Sequence, residues 1–188
     1  TEIDASLLPT PDDLETWQHL VTLAHQERVS PLLYTTLKDC GACPPPALAQ
    51  LRGVYYQTAR HNTRLLHALD QILVALRAAG IGVILLKGAS AAERLYHNPA
   101  LRPMMDMDLL VHPADIPAAL ETLQGLGYRY AEDVPFMGSD KDFRPEFHLS
   151  SPNLQTSVDL HWSLFQAWFY KQVIDPALLW NRAQPVTA

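Results

Sequence analysis

The chain has 188 residues, 48% of them hydrophobic, and a formal net charge of −6 at pH 7. This length and apolar content suffice for one well-filled domain with room for a helical appendage. The acidic balance argues against general nucleic-acid binding, because contact with a phosphate backbone needs a basic face. No apolar run approaches the ~20 residues that span a bilayer, and no signal-peptide pattern opens the chain. We therefore expect a cytoplasmic protein without a membrane partner.

The two cysteines, Cys40 and Cys43, form a Cys-Gly-Ala-Cys sequence that three prolines follow. A redox pair needs a helix N-terminus directly after it to lower the thiol pKa. A zinc site needs two further ligands at a matched spacing. The sequence shows neither context, so an incidental loop is favoured over half of a zinc site and over a redox pair.

Residues 1–80 carry helical signals and are predicted to form an N-terminal helical subdomain. Thr10, which precedes a proline and two acids, is predicted to cap a first helix. Ser30, also before a proline, predicts a short second helix. Apolar residues at helical spacing then predict a long helix over residues 47–79, which Gly80 ends.

Residues 81–188 show the alternation of short apolar runs and helical segments that is typical of an α/β (α+β) sheet domain. Buried strands are predicted from continuous apolar runs, and half-buried strands from alternating ones. The predicted strands cover residues 83–86, 107–111, 128–130, 146–149 and 158–162, and the predicted helices cover residues 90–97 and 113–126.

Asp106 and Asp108 form the most informative pair in the chain. They lie one residue apart at a predicted strand, so their carboxylates point to the same face. Two carboxylates held in this way form a hard-oxygen site suited to Mg²⁺. Gly88, directly after Lys87, permits a tight strand-to-helix turn that can approach phosphate closely. The combination indicates phosphoryl or nucleotidyl transfer.

A second Asp-x-Asp pair, Asp140 and Asp142, lies in the polar stretch from Gly138 onward. No strand is predicted there that would hold the two carboxylates in a fixed orientation. A solvated loop is therefore expected there.

The segment around the first pair resembles the active-site half of the uncharacterised nucleotidyltransferase family, within the DNA-polymerase-β-like nucleotidyltransferase superfamily. The resemblance extends upstream through residues 27–34 and the long predicted helix. It implies a polymerase-β-like core with a mixed sheet over residues 81–188, and it leaves open that part of the acceptor platform follows residue 188. The matching motifs are Lys87-Gly88-Ala89-Ser90, Leu95-Tyr96, Arg102, Asp106-Met107-Asp108-Leu109-Leu110-Val111 and Val158-Asp159-Leu160-His161-Trp162.

The resemblance also implies a site. By position, Asp106, Asp108 and Asp159 correspond to three carboxylates that hold two divalent ions, Mg²⁺ or Mn²⁺, against an NTP donor. The third of these, Asp159, can also take the proton of the acceptor as a general base. The alternative for Asp159 is a local hydrogen bond in a hairpin. The alternative for Asp106 and Asp108 is a position at a solvated strand end.

Positive and polar groups complete the expected site. Lys87 and Arg102 are candidates for neutralising phosphate charge, with structural salt bridges as the alternative. Gly88 and the amides of Ala89 and Ser90 open a predicted helix whose positive end can bind phosphate. His161 shares a strand face with Asp159, and it either tunes that carboxylate, contacts the acceptor, or serves as a buried hydrogen-bonded histidine. The predicted residues around the three carboxylates are therefore Lys87, Gly88, Ala89, Ser90, Arg102 and His161.

The sequence thus predicts a metal-dependent nucleotidyltransferase that moves a nucleoside monophosphate from an NTP to an acceptor hydroxyl and releases pyrophosphate. The acceptor is open between a small molecule, a protein side chain and a tRNA end. One alternative is a nucleotide-sensing or partner-binding module with little turnover. Another is a toxin-like transferase that works beside an inhibitory protein partner.

Overall fold

The computed structural model describes residues 7–88, 96–130, 146–151, 153, 155–163 and 177–184. The chain divides into two compact units, one of residues 1–63 and 91–104 and the other of residues 64–90 and 105–188. The division into residues 1–80 and 81–188 stays a prediction. The predicted helix over residues 90–97 and the polar loop with Asp140 and Asp142 lie largely or wholly outside the described residues.

The described part of the first unit is mainly helical over residues 7–63. Helix α1 spans Leu14–Gln26 and α2 spans Ser30–Leu37, as predicted, and α3 spans Pro45–Ala78, with residues 45–63 in this unit. Buried apolar side chains from all three helices and the loop before α3 form one core cluster. Its members are Trp17, Val21, Leu37, Cys43, Ala47 and Leu51.

The predicted N-cap of α1 was wrong, because Asp13 rather than Thr10 caps the helix. The Asp13 carboxylate accepts a hydrogen bond from the backbone N–H of Thr16 at 3.1 Å, the usual geometry of a side-chain cap. This hydrogen bond lowers the pKa of Asp13 below its usual value. The Thr10 carbonyl instead accepts from the indole Nε1 of Trp17 at 3.0 Å.

Gly80 ends α3 as predicted, and its geometry explains why a glycine stands there. Its φ is +74°, a left-handed conformation that costs glycine little. The N–H of Gly80 donates to the Arg77 carbonyl, and the N–H of Ile81 donates to the Leu76 carbonyl at 2.9 Å. This pair of bonds is the Schellman arrangement that satisfies the last carbonyls of a helix.

The second unit contains a five-stranded mixed sheet, which confirms the predicted α/β fold class. Its strands, in the spatial order β1-β2-β5-β4-β3, are β1 (Ile84–Leu85), β2 (Met107–Leu110), β5 (Thr156–His161), β4 (Glu146–Ser151) and β3 (Arg129–Tyr130). Strands β2 and β5 run parallel, and the other neighbours are antiparallel. A 3-10 turn over Pro113–Asp115 leads into α4 (Ile116–Gly125), and α5 spans Ala177–Arg182.

The three central strands have one apolar and one polar face, because successive residues of a strand point to opposite faces. The apolar face carries fully buried residues that include Met107, Leu109, Val158, Leu160 and Leu149. The opposite face carries the acids and histidines of the predicted site. Among the described residues, no helix has the length and apolar character needed to cross a membrane.

Candidate active site

The register of the sheet brings the predicted carboxylates together. Asp108 on β2 lies directly opposite Asp159 on the parallel strand β5. Asp159 also lies opposite His148 on β4, and Glu146 lies opposite His161 in the same antiparallel pair. Residues two apart on one strand share a face, so these side chains form a continuous polar surface across β2, β5 and β4.

Asp108 is the centre of this surface and is almost fully buried. Its side chain is 3% exposed, and its Oδ1 lies 2.5 Å from Lys87 Nζ and 3.0 Å from His161 Nε2. Burial alone would raise the pKa of Asp108, but the hydrogen bonds from His161 and Lys87 outweigh burial and lower it. A buried carboxylate is stable only with such partners, so Asp108 is held in its ionised form.

Asp106 lies next to β2 in a contrasting environment. Burial raises its pKa above the usual value, and the negative charges of Asp108 and Asp159 raise it further. The two neighbouring aspartates are therefore shifted in opposite directions. Such a division between adjacent carboxylates is common at functional sites, and a bound cation would relieve the repulsion that raises the pKa of Asp106.

Asp159 and His148 form a second hydrogen-bonded pair. The His148 Nδ1 is hydrogen-bonded to Asp159 Oδ1. The Asp159 side chain is 17% exposed and the His148 ring is 52% exposed. Asp159 is therefore partly accessible from solvent, whereas Asp108 is not.

His161 connects Asp108 to Glu146, an acid on β4 that is not among the predicted site residues. Its Nδ1 lies 2.9 Å from Glu146 Oε2, and its ring is 5% exposed. The ring is thus held between two carboxylates, with Asp108 on its Nε2 side. This arrangement fixes both the position and the orientation of the imidazole.

The residues present fit a divalent cation. Asp108, Asp159 and His161 offer ligand atoms that all lie within 4.8 Å of one another. Carboxylate oxygens and imidazole nitrogen are ordinary ligands of divalent ions, and three strand-borne donors leave coordination positions for substrate oxygens. Among the residues that the structure describes, this is the one such group found.

Lys87 follows β1, and its ammonium reaches Asp108 across the strand pair. Its φ is +41°, so the lysine itself adopts a left-handed backbone conformation, which is costly for an L residue. The hydrogen bond to Asp108 is the main cause that raises the pKa of Lys87, and the side chain therefore keeps its positive charge. Gly88 is buried beside it.

Three other predicted residues are not assigned to the site by the structure. Ala89 and Ser90 lie outside the described residues. Arg102 belongs to the first unit, where its carbonyl accepts a hydrogen bond from the Asn62 amide at 2.7 Å. Phosphate binding by these residues stays a prediction.

The Cys-Gly-Ala-Cys sequence shows no sign of metal or redox chemistry in its described surroundings. Cys40 is exposed, Cys43 is buried, and neither forms a disulfide. Burial raises the pKa of the Cys43 thiol, which is the opposite of what a reactive thiolate requires.

Comparison with known proteins identifies the family. A sequence model of the uncharacterised nucleotidyltransferase family matches residues 13–188. The chain therefore belongs to this family, as the sequence motifs predicted, and the membership supports nucleotidyl transfer as its general function. No curated protein and no solved structure matched the chain.

Proposed function

We propose that the chain is a metal-dependent nucleotidyltransferase that transfers a nucleoside monophosphate from an NTP to an acceptor hydroxyl. The observation that carries the proposal is the parallel register that sets Asp108 directly opposite Asp159, with His161 completing a compact group of cation ligands. The membership in a nucleotidyltransferase family supports the same conclusion. A cytoplasmic setting, where NTPs are abundant, is part of the proposal.

The proposed reaction forms one bond to phosphorus and breaks one, and the acceptor proton passes to Asp159. The acceptor oxygen bonds to the α-phosphorus, the bond from that phosphorus to the β-phosphate bridge oxygen breaks, and pyrophosphate leaves. Asp106, Asp108 and Asp159 would hold one or two divalent ions, which neutralise phosphate charge and lower the pKa of the acceptor hydroxyl.

The residues of the chain have separate roles in this proposal. Asp159 takes the proton from the acceptor hydroxyl, since it is the solvent-accessible carboxylate of the opposed pair, and His148 holds its orientation. Lys87, which remains charged, moves from Asp108 to the NTP phosphates and offsets their negative charge. The amides after Gly88 bind phosphate at the start of the predicted helix.

A first experiment tests nucleotide binding. Calorimetric titration with each of the four NTPs, with Mg²⁺ and with EDTA, is expected to show ion-dependent binding of at least one NTP to the wild type. The Asp106→Asn/Asp108→Asn variant should lose it, and Asp70→Asn, which removes an exposed carboxylate of α3, should keep it. If no NTP binds the wild type under any condition, the proposal fails.

A second experiment tests turnover. An NTP labelled at the α-phosphate is incubated with the protein and pools of small-molecule, protein and tRNA acceptors. Transfer of label with stoichiometric pyrophosphate release is the expected result, and the pool that takes the label gives the acceptor class.

One observation favours a second candidate, a nucleotide-binding module with little turnover. Lys87 already compensates the charge of Asp108, His161 is hydrogen-bonded to Asp108, and His148 pairs with Asp159. Such a surface is stable without a metal ion. This candidate predicts NTP binding that EDTA leaves unchanged and no transfer of label to any pool.

A further inference from the structure

We propose that His161 is itself a ligand of the divalent ion, through Nε2, and that the site therefore selects a first-row transition ion over Mg²⁺. The inference rests on the proposed function, since it specifies the ion of that same site. It departs from a site made of carboxylates alone, because it adds a nitrogen donor and a residue, Glu146, that positions this donor.

The distance between the two buried donors suits coordination. His161 Nε2 and Asp108 Oδ1 are 3.0 Å apart. Two donors that each lie ~2.1 Å from one ion, at right angles to each other, are ~3.0 Å apart. An ion bound by both atoms would replace the proton that they share when no ion is bound. The ring and the carboxylate therefore need little movement to become ligands.

Glu146 supplies the support that a ligating histidine requires. Its Oε2 accepts from the Nδ1 side of the ring at 2.9 Å. A proton held at Nδ1 leaves the lone pair of Nε2 for the ion, and a carboxylate on the far nitrogen also makes the ring a stronger donor. The order carboxylate, imidazole, ion is common around protein-bound transition metals.

A purely structural role for His161 explains only part of the geometry. A buried imidazole between Asp108 and Glu146 would satisfy two carboxylates without any ion. That role does not account for Asp159, which has His148 as its own partner and still presents a ligand atom within 4.8 Å of the other two donors. Three donors from two adjacent strands therefore lie close enough together to bind one ion after small side-chain movements.

The donor set determines which ion is preferred. Imidazole nitrogen binds the later first-row ions more strongly than it binds Mg²⁺, which prefers an all-oxygen octahedron and keeps its waters. Lys87 does not close the site, because its side chain is 63% exposed and can leave Asp108. Two carboxylates with one imidazole thus favour an ion such as Mn²⁺ or Co²⁺.

The test measures binding of the ion alone, without reference to activity. Co²⁺ and Mg²⁺ are titrated separately into the wild type, His161→Gln, Glu146→Gln and the control His67→Gln, which removes an exposed histidine of α3. The wild type should bind Co²⁺ at least tenfold more tightly than Mg²⁺. His161→Gln should weaken Co²⁺ binding by roughly 10–100-fold and Glu146→Gln by about tenfold, with Mg²⁺ affected less in each case.

A second measurement needs no variant and therefore stands even where His161→Gln fails to fold. Pulsed EPR of Mn²⁺ bound to the wild-type protein should show modulation from a coordinated ¹⁴N nucleus. Absence of this signal, or an unchanged ratio of Co²⁺ to Mg²⁺ affinity in a folded His161→Gln, would overturn the inference. Binding of ions through oxygen alone would leave the proposed function standing, whereas a wild type that binds no divalent ion, with or without NTP, would remove both.

Discussion

At the scale of single residues, Lys87 has two competing partners. In the structure its ammonium occupies the carboxylate oxygen of Asp108 that a divalent ion would use. We therefore expect Lys87→Met to tighten binding of Mg²⁺ or Mn²⁺ in the absence of nucleotide. The gain should be about tenfold rather than larger, because the lysine is mostly exposed and solvent screens its charge.

The same substitution should weaken NTP binding, since a phosphate contact is lost. Titration calorimetry of ion alone and of NTP with ion separates the two effects. Lys38→Met is a matched control, because Lys38 is an exposed lysine paired with Asp39 at 3.6 Å in the first unit. An unchanged ion affinity in Lys87→Met would show that the ammonium does not compete for the site.

A substitution at Asp159 distinguishes the two candidate functions, an enzyme and a binding module. If it is the general base, Asp159→Asn should lower the transfer rate by about 10²–10⁴-fold at saturating ion concentration. The affinity for NTP should change far less, because Lys87 and Asp108 are intact. His148→Gln is the control, since it removes the hydrogen-bond partner of Asp159 and keeps the carboxylate, and it should cost much less rate. Equal losses in both variants would contradict the assignment of the base.

At the scale of elements, the stability changes caused by alanine at two glycines, one within the long helix and one just after its end, should have opposite signs. Gly80 has a φ of +74° beyond the helix end, whereas Gly53 lies within α3, and a Cβ at either position would meet no atom within 4 Å. Gly80→Ala should lower the free energy of unfolding by about 1 kcal/mol, because an L residue is strained there. Gly53→Ala should raise it by about 0.5–1 kcal/mol through helix propensity.

Both glycine variants are measured by urea denaturation of the whole chain. Since neither position has a steric conflict, the two changes isolate backbone conformation from packing. A loss of stability in Gly53→Ala would contradict the helical assignment of that position.

A buried hydrogen bond joins the segment after α4 to strand β5. Tyr128 is fully buried, and its hydroxyl lies 2.8 Å from the Thr156 hydroxyl. Tyr128→Phe should cost about 1–2 kcal/mol, because it leaves the Thr156 hydroxyl buried without its partner. The double variant with Thr156→Val should cost less than the sum of the single variants, because it removes both polar groups. If the stability changes of the two single variants simply added in the double variant, the hydrogen bond between Tyr128 and Thr156 would be contradicted.

The same pair gives a pH dependence with a defined sign. Burial raises the pKa of Tyr128 above its usual value, although the hydrogen bond to Thr156 lowers it in part. The folded state therefore holds this proton more tightly than the unfolded state does. The stability that this difference in pKa contributes is fully present below the unfolded pKa of about 10 and is lost as pH rises through the folded pKa. Urea denaturation at pH 8 and above pH 10 should show a decline that Tyr128→Phe reduces.

The sequence predicted local elements well where one pattern determines them. Gly80 was predicted as the helix end because only a residue tolerant of positive φ suits that position. Strands β4 and β5 were also predicted, since alternation over a short run indicates a half-buried strand. The cap of α1 was predicted wrongly, because Thr10 and Asp13 both satisfy the rules for a capping residue, and the helix begins at Leu14, directly after Asp13.

At the scale of the whole molecule, the site depends on a contact that no local pattern encodes. Asp108 and His161 are 53 positions apart in sequence, and they meet because β2 and β5 pair in parallel. Motif resemblance pointed to Asp108 and Asp159 individually. It could not give the register, and therefore it did not reveal that His161 contacts Asp108 or that Glu146 holds His161. The pairing of parallel strands depends on the crossover segment that connects them rather than on the sequence of either strand.

The location of the site leads to a prediction about the stability of the whole chain. All the residues of the described site, on β2, β4, β5 and at Lys87, belong to the second unit. A ligand that binds only the folded state stabilises it by ~2.7 kcal/mol at one hundred times its dissociation constant. For a chain of this length the midpoint of thermal unfolding should rise by about 5–10 °C.

Hydrogen exchange shows where this stabilisation acts. With the NTP found by titration and a divalent ion, amides of β2 and β5 should gain the most protection, because every opening that exposes them also destroys the site. Amides of α1 and α2 should gain protection only through openings that unfold both units together. Equal gains throughout would mean that the units unfold as one, whereas gains confined to α1 and α2 would place the ligand away from the carboxylates. The Asp106→Asn/Asp108→Asn variant should show no gain in protection. Without the two carboxylates the second unit does not bind the ion, and nucleotide binding therefore does not stabilise it.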